Sequence, residues 1–395
     1  MKKWLNAKLR ERLAWAMPPL ALVSFALAYQ NCGRFYTPND VIFLNSAAGE
    51  PGNGTIDKTC LENPAFDACV IYKNPVAQKK SPLTTEIDAS SITALQHYGV
   101  KITGLKPGEG LKSDFVSVIG GDGVVVDPAA GVKFSAVDDP SAFNQVMTYY
   151  WLNRMGEYVG ARTGDYPVAG RSLQVVVDDT MTGWSPKTST IHIGKSEGRN
   201  LAWSAEVAVH LMGLANVYYA SNGAIAKLNA KTHADCGLKG LGCCAAPIGC
   251  ARAISSGVGD YFVAMMFPQN PTVGEALSNS SDGLVTCDLS RNIPDAKGRM
   301  PIDVFKACIP NLVPGEATTM GTVYASIWWE VRKAAMKENP DDARAIDTIF
   351  MYHLGLLTGD DIFKSGIEKA KAVDDQLYSG RYKKFFDAEL SARDL

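Results

Sequence analysis

Residues 200–220 read NLAWSAEVAVHLMGLANVYYA, a long apolar stretch whose only ionisable side chains are Glu206 and His210. Its length and apolar character predict a buried helix. A polar group in such a helix must find partners or do chemistry, because burying it bare is costly. Glu206 and His210 are four residues apart, so they share one helical face, one turn from each other. A helix uses that spacing to offer two ligands to one metal ion. An ordinary intrahelical pair has the same spacing.

Downstream of this stretch the pattern stays helical. AISSGVGDYFVAMMF (253–267) carries a single charge, Asp260, with Ser255 and Ser256 one turn earlier. MGTVYASIWWEVRKAAMK (320–337), DDARAIDTIFMYHLGLL (341–357) and a segment near 361–374 continue it. Trp328 and Trp329 sit at helical spacing with Tyr324 and Ile327 and read as core. Upstream, residues 86–195 hold short β-type runs bounded by Gly and Asp, namely DFVSVI (114–119), GVVVD (123–127) and SLQVVVDD (172–179). One helix interrupts them at 142–161, where Phe143, Val146, Met147, Tyr150, Leu152 and Met155 keep an apolar side. The fold class is therefore α+β, with a β-rich subdomain over 86–199 that includes one long helix, and a helical subdomain over 200–395.

Composition narrows the function. The chain has 395 residues, 46% of them hydrophobic and 20% charged, with a formal net charge of -2. That is an ordinary globular composition, and it lacks the basic face that nucleic acid requires. No phosphate-binding glycine loop is present.

The first residues point to export. Lys2, Lys3, Lys8, Arg10 and Arg12 precede an uncharged stretch from Leu13 to Tyr29, which is the pattern of a signal peptide over residues 1–31. Two cleavage readings exist. Ala26-Leu27-Ala28 suits ordinary signal peptidase, which would leave a soluble periplasmic or secreted chain. Cys32-Gly33 instead looks like the acylated start of a bacterial lipoprotein, anchored to a membrane of the cell envelope. Nine cysteines favour lipidation at Cys32, since eight then remain to pair in an oxidising compartment. Cys60–Cys69 and Cys287–Cys308 are the expected staples. Cys236, Cys243, Cys244 and Cys250 pair among themselves in an order that the sequence leaves open. Residues 32–85 read as a tether with a disulfide-stapled loop, and KNPVAQKK (73–80) as a solvated linker. His192 and His353 show no evident partner and read as surface or strand-face residues, while His97 and His233 carry no motif.

With these elements in order, the chain resembles the gluzincin metallopeptidases, in particular the thermolysin-like and fungalysin-like enzymes. GWSPKTSTIHIG (183–194) is similar to the family's hairpin beside the substrate cleft, and SAEVAVHLMG (204–213) stands at its zinc-binding helix. AISSGVGDYFVAMM (253–266) and TMGTVYASIWWEVRKA (319–334) resemble its two following helices. The likeness spans roughly residues 140–375.

The departures decide what the resemblance implies. Glu206 replaces the first zinc histidine, and Val207 replaces the glutamate that activates water. His210 is kept, the third ligand falls on Ser256, and the supporting aspartate is kept as Asp260. The transition-state histidine falls near Thr318 or Thr319, where there is none. Catalytic zinc needs three protein ligands and an activated water, and a valine cannot take a proton. These positions are therefore read as site remnants, with no catalytic residue, no metal and no cofactor. Glu206, His210 and Asp260 are expected to form a structural network. The implied function is a non-enzymatic envelope module that binds a peptide or protein and reaches a membrane through its lipid. The rival reading is an active zinc peptidase with rearranged ligands Glu206, His210 and Asp260.

Overall fold

Asp139 and Pro140 open the longest helix among the described residues. The Asp139 carboxylate accepts from the Ala142 amide at 3.0 Å, and Pro140 stands at the first helical position, where no amide hydrogen is needed. The helix runs Pro140–Thr163 and ends at Gly164 in the left-handed conformation. The computed structural model containing it describes residues 59–75, 95–96, 98–164, 172–196, 199–226, 250–273, 291–292, 316–393 and 395. The expected signal peptide, Cys32, Cys236, Cys243, Cys244, Cys287, Cys308, His97, His233 and residues 76–80 lie outside the described residues. Gly54–Leu395 forms one compact unit.

The strands, in chain order, are β1 (Ala68–Val70), β2 (Tyr98–Val100), β3 (Leu111–Lys112), β4 (Val116–Gly120), β5 (Leu173–Asp179), β6 (Gly183–Ser185), β7 (Thr190–Ser196), β8 (Arg199–Asn200), β9 (Thr272–Val273) and β10 (Arg291–Asn292). The helices are α1 (Thr59–Glu62), α2 (Pro140–Thr163), α3 (Ala205–Ala220), α4 (Cys250–Met266), α5 (Glu316–Glu338), α6 (Asp342–His353), α7 (Phe363–Tyr378) and α8 (Lys383–Ala392). The main sheet has the order β3-β4-β5-β7-β6, with β8 also paired to β7. Strands β4, β5 and β7 are parallel, while β3 and β6 run antiparallel at the edges. This is a mixed sheet in a mixed helix and sheet protein, which agrees with the α+β expectation.

Strand β4 alternates buried and half-buried residues, as a period of two requires. Helix α2 lies against β4 and also meets α3 and α6, so it is buried nearly all round. The GWSPKTSTIHIG stretch does fold as a hairpin, β6–β7, and β6 is a sheet edge. The run GVVVD is not a strand. Gly120 N donates to Val124 O, Gly123 takes a φ of 82°, and Asp127 caps a short 3-10 turn. Glycines that break the chain here outweigh three valines, and Val124 and Val125 are left exposed.

Helix α4 passes between α3 and α5 at two glycine crossings. A Cβ added to Gly213 would lie 2.7 Å from Gly259 Cα, and one added to Gly321 would lie 2.7 Å from Gly257 N. Only bare backbone allows this approach. Trp328 and Trp329 are buried, as their spacing suggests. Among the described residues no helix is long and apolar enough to cross a membrane.

Candidate functional site

Helix α3 begins without a side-chain cap from Ser204. Its first amide, Ala205 N, is met instead by the main-chain oxygen of Lys73 at 2.6 Å. Lys73 can reach it because it adopts a left-handed φ of 57°. The same residue sends its side chain inward. Lys73 Nζ lies 3.3 Å from Glu206 Oε2, with both side chains fully buried, and donates to Thr272 Oγ1 at 2.9 Å.

Lys73 is therefore no solvated linker residue. The segment that carries it is fixed from several sides. Cys60 and Cys69 form the expected disulfide, with Cα atoms 6.0 Å apart. Strand β1 pairs antiparallel with β2. Trp151 Nε1 donates to Ile71 O at 3.2 Å, and Tyr72 packs against Tyr98, Trp151 and Phe267. Burial pushes the Tyr72 phenol up to about 12, so it stays neutral in this apolar setting. The lysine is delivered by apolar packing around it, which a reading of local charge does not register.

One turn along α3, His210 Nδ1 lies 2.9 Å from Asp260 Oδ1 on α4, and Thr322 Oγ1 lies 3.5 Å from Asp260 Oδ2. The expected closeness of His210 and Asp260 is thus present, but the charge of Glu206 is met by Lys73. The His210 ring lies over Gly259, where an added Cβ would stand 2.7 Å from Nδ1. Val207 and Ser256 are buried. Ser256 faces the crossing with α5, since a Cβ on Gly321 would come within 2.8 Å of Ser256 Cβ. Thr318 and Thr319 fall in the first turn of α5. Among the described residues no group of three or more His, Cys, Asp or Glu side chains is arranged to hold a metal.

A scan against protein-family models finds no match to this chain, and a search of curated proteins returns no relative.

Two further polar centres escaped the sequence reading. Asp347 on α6 is fully buried and accepts from Tyr158 of α2 at 2.5 Å, from Tyr261 of α4 at 2.9 Å, and from Arg332 Nε of α5 at 3.1 Å. Arg162 Nε stands 4.0 Å away. Burial, reinforced by the Asp347 charge, holds both phenols above their usual range, with Tyr158 at about 12.

His353 is the second. It is fully buried, not on the surface, and sits among Tyr324, Trp328 and Phe350. Its Nδ1 faces the Phe350 carbonyl, so that nitrogen carries the proton, and Nε2, 3.0 Å from Tyr324 Oη, accepts from the phenol. His192 also has a partner, with Nδ1 2.8 Å from Asp179 Oδ2.

His353 gives the protein a defined acid sensitivity. Burial lowers its pKa to about 3 from the ordinary 6.5. Above pH 6.5 the imidazole is neutral in both states and its contribution is complete. Below 6.5 only the unfolded chain takes the proton, so stability falls by about 1.4 kcal/mol per pH unit until the folded pKa is reached. Denaturant titrations at pH 7 and pH 5 should therefore differ by about 2 kcal/mol from this residue. His353→Gln, which keeps a hydrogen-bonding head without a titrating ring, should remove that increment. An unchanged pH dependence in the variant would assign it to other groups.

Proposed function

We propose that this chain is a non-catalytic, exported protein of the bacterial cell envelope, held to a membrane through lipid on Cys32. Its gluzincin-type, thermolysin-like scaffold serves as a peptide- or protein-interaction module. The observation that carries the reading is the Lys73–Glu206 pair. An ammonium supplies, from within the chain, the positive charge that a metal would otherwise bring to Glu206.

The other positions agree. Val207 has no proton-accepting group, and Ser256 offers a hydroxyl packed against α5. A catalytic zinc does not fit this donor set, because it needs three protein ligands and an open position for water. His210 is directed at Asp260, Glu206 at Lys73, and both carboxylates are fully buried. Burial of these residues favours a module that works from its surface over one that draws a peptide into the old site.

The test is zinc content per chain on the mature, disulfide-intact protein, beside His210→Ala. Substoichiometric zinc in both samples is the expected result. One zinc per chain, lost in the variant, would show a rebuilt site and make peptide hydrolysis the next assay.

A further inference from the structure

Among the described residues six large apolar side chains are exposed, and four of them lie in segments that meet at one end of the main sheet. Val124 and Val125 follow β4, Met181 follows β5, and Val137 precedes α2. Tyr352 and Leu377, the other two, belong to α6 and α7. Apolar side chains scattered over a surface need no explanation, but a gathering of them does.

Direct contacts bring these segments together. A Cβ on Gly121, in the turn after β4, would lie 2.5 Å from Asp178 O near the end of β5. The first turns of α2 reach both loops. Asn144 Nδ2 donates to Asp178 Oδ1 at 2.8 Å, and Gln145 Oε1 accepts from Val126 N at 3.3 Å. Asp139, two residues after Val137, caps the same helix. The loops are also fixed in shape. Asp122 Oδ1 accepts from Val124 N at 2.9 Å, and Gly120 N donates to Val124 O. Thr182 Oγ1 accepts from Gly194 N at 2.9 Å, and His192 engages Asp179. Val124, 55% exposed, and Met181, 52% exposed, are thus held in water by ordered backbone. Side chains displayed in this way have little freedom left to lose on binding.

Charge selects the occupant. Segments 120–127, 135–139 and 178–182 hold six aspartates and no lysine or arginine. Asp122, Asp127, Asp138 and Asp139 are exposed. Lys133, between two of these segments, is engaged by the carbonyls of Cys60 and Asn63, which leaves the exposed Lys195 at the end of β7 as a local counter-charge. We propose that this end of the sheet docks a basic protein or peptide segment. Its Lys or Arg side chains meet the aspartates, while its apolar side chains cover Val124, Val125 and Met181. The same negative charge disfavours an anionic lipid surface. This docking role rests on the proposed interaction function and gives it a surface built from residues other than Glu206 and His210.

Fluorescence anisotropy of a labelled peptide of alternating Lys and Leu tests it on the mature, disulfide-intact chain. Glu/Leu and Lys/Ser peptides of the same length are the controls. Saturable binding of the Lys/Leu peptide alone is expected, weakening by about tenfold as NaCl rises from about 50 to 500 mM. Val124→Ser with Met181→Ser should weaken it by about fivefold or more, and so should Asp122→Asn with Asp138→Asn. All four positions are exposed, and asparagine keeps the acceptor that Asp122 offers Val124 N, so both pairs should fold. No saturable binding, equal binding of the Lys/Ser peptide, or an affinity that either pair leaves unmoved overturns the docking role. Cleavage of the Lys/Leu peptide, read by mass spectrometry, would overturn the non-catalytic reading itself and this role with it.

Discussion

Replacing Lys73 by Met should lower the stability of the chain by about 3–5 kcal/mol at pH 7, the cost of leaving one member of a buried ion pair alone. Methionine preserves the length and most of the volume, so packing loss contributes little. What remains is Glu206, fully buried and deprived of its ammonium. The main-chain oxygen that meets Ala205 N is retained, so the start of α3 should not unwind. The penalty should shrink as the pH falls, because an unpaired buried carboxylate escapes by taking a proton.

The second half of the test is Lys73→Met combined with Glu206→Leu. Removing both charges should return stability to within about 1 kcal/mol of the parent, or above it, because buried pairs rarely outperform apolar replacements. A double-mutant cycle isolates the coupling between the two side chains. Denaturant unfolding of the oxidised protein gives all four values. A single variant costing under about 1 kcal/mol, or a double variant no better than the single, would mean that the pair is not a buried unit.

That pair also marks where sequence reading stops. Helix α3 was legible because a long, mainly apolar stretch with only two ionisable side chains, Glu206 and His210, admits few alternatives. The β6–β7 hairpin was expected only through the likeness of GWSPKTSTIHIG to the family's hairpin, and residues 183–185 and 190–192 do pair antiparallel. The Cys60–Cys69 staple followed from short spacing. Lys73 was not legible, because a contact between residues 73 and 206 leaves no periodic trace. A lysine beside Asn and Pro, followed by two more lysines, has the local look of a solvated segment. GVVVD failed for the opposite reason. Its strand propensity was strong, but Gly120, Gly121 and Gly123 around Asp122 turned the chain before pairing began. His353 was misjudged because the apolar residues that bury it, Tyr324, Trp328 and Phe350, come partly from another helix.

Asp347→Ala should be among the most damaging single changes in the helical layer, at about 3–5 kcal/mol. One carboxylate on α6 answers phenols from α2 and α4 and a guanidinium from α5, so four helices meet on a single charge. Its removal leaves Arg332 cationic in a site where only 8% of the residue is exposed. Burial opposes the Arg332 charge and Asp347 offsets that cost, but without Asp347 the guanidinium still does not neutralise, because its intrinsic basicity is too high. Asp347→Asn separates charge from shape. Its oxygen can still accept one phenol, but its NH₂ group must face the other phenol and an Arg332 N–H, whichever way the amide turns. That variant should recover only part of the loss. Tyr158→Phe removes one donor from a carboxylate that keeps others, and should cost about 1–2 kcal/mol. Denaturant midpoints should therefore fall in the order Tyr158→Phe, Asp347→Asn, Asp347→Ala. If Asp347→Asn proves as stable as the parent, the charge is not what joins these helices, and the site is held by packing of Tyr261, Trp328 and Phe350 alone.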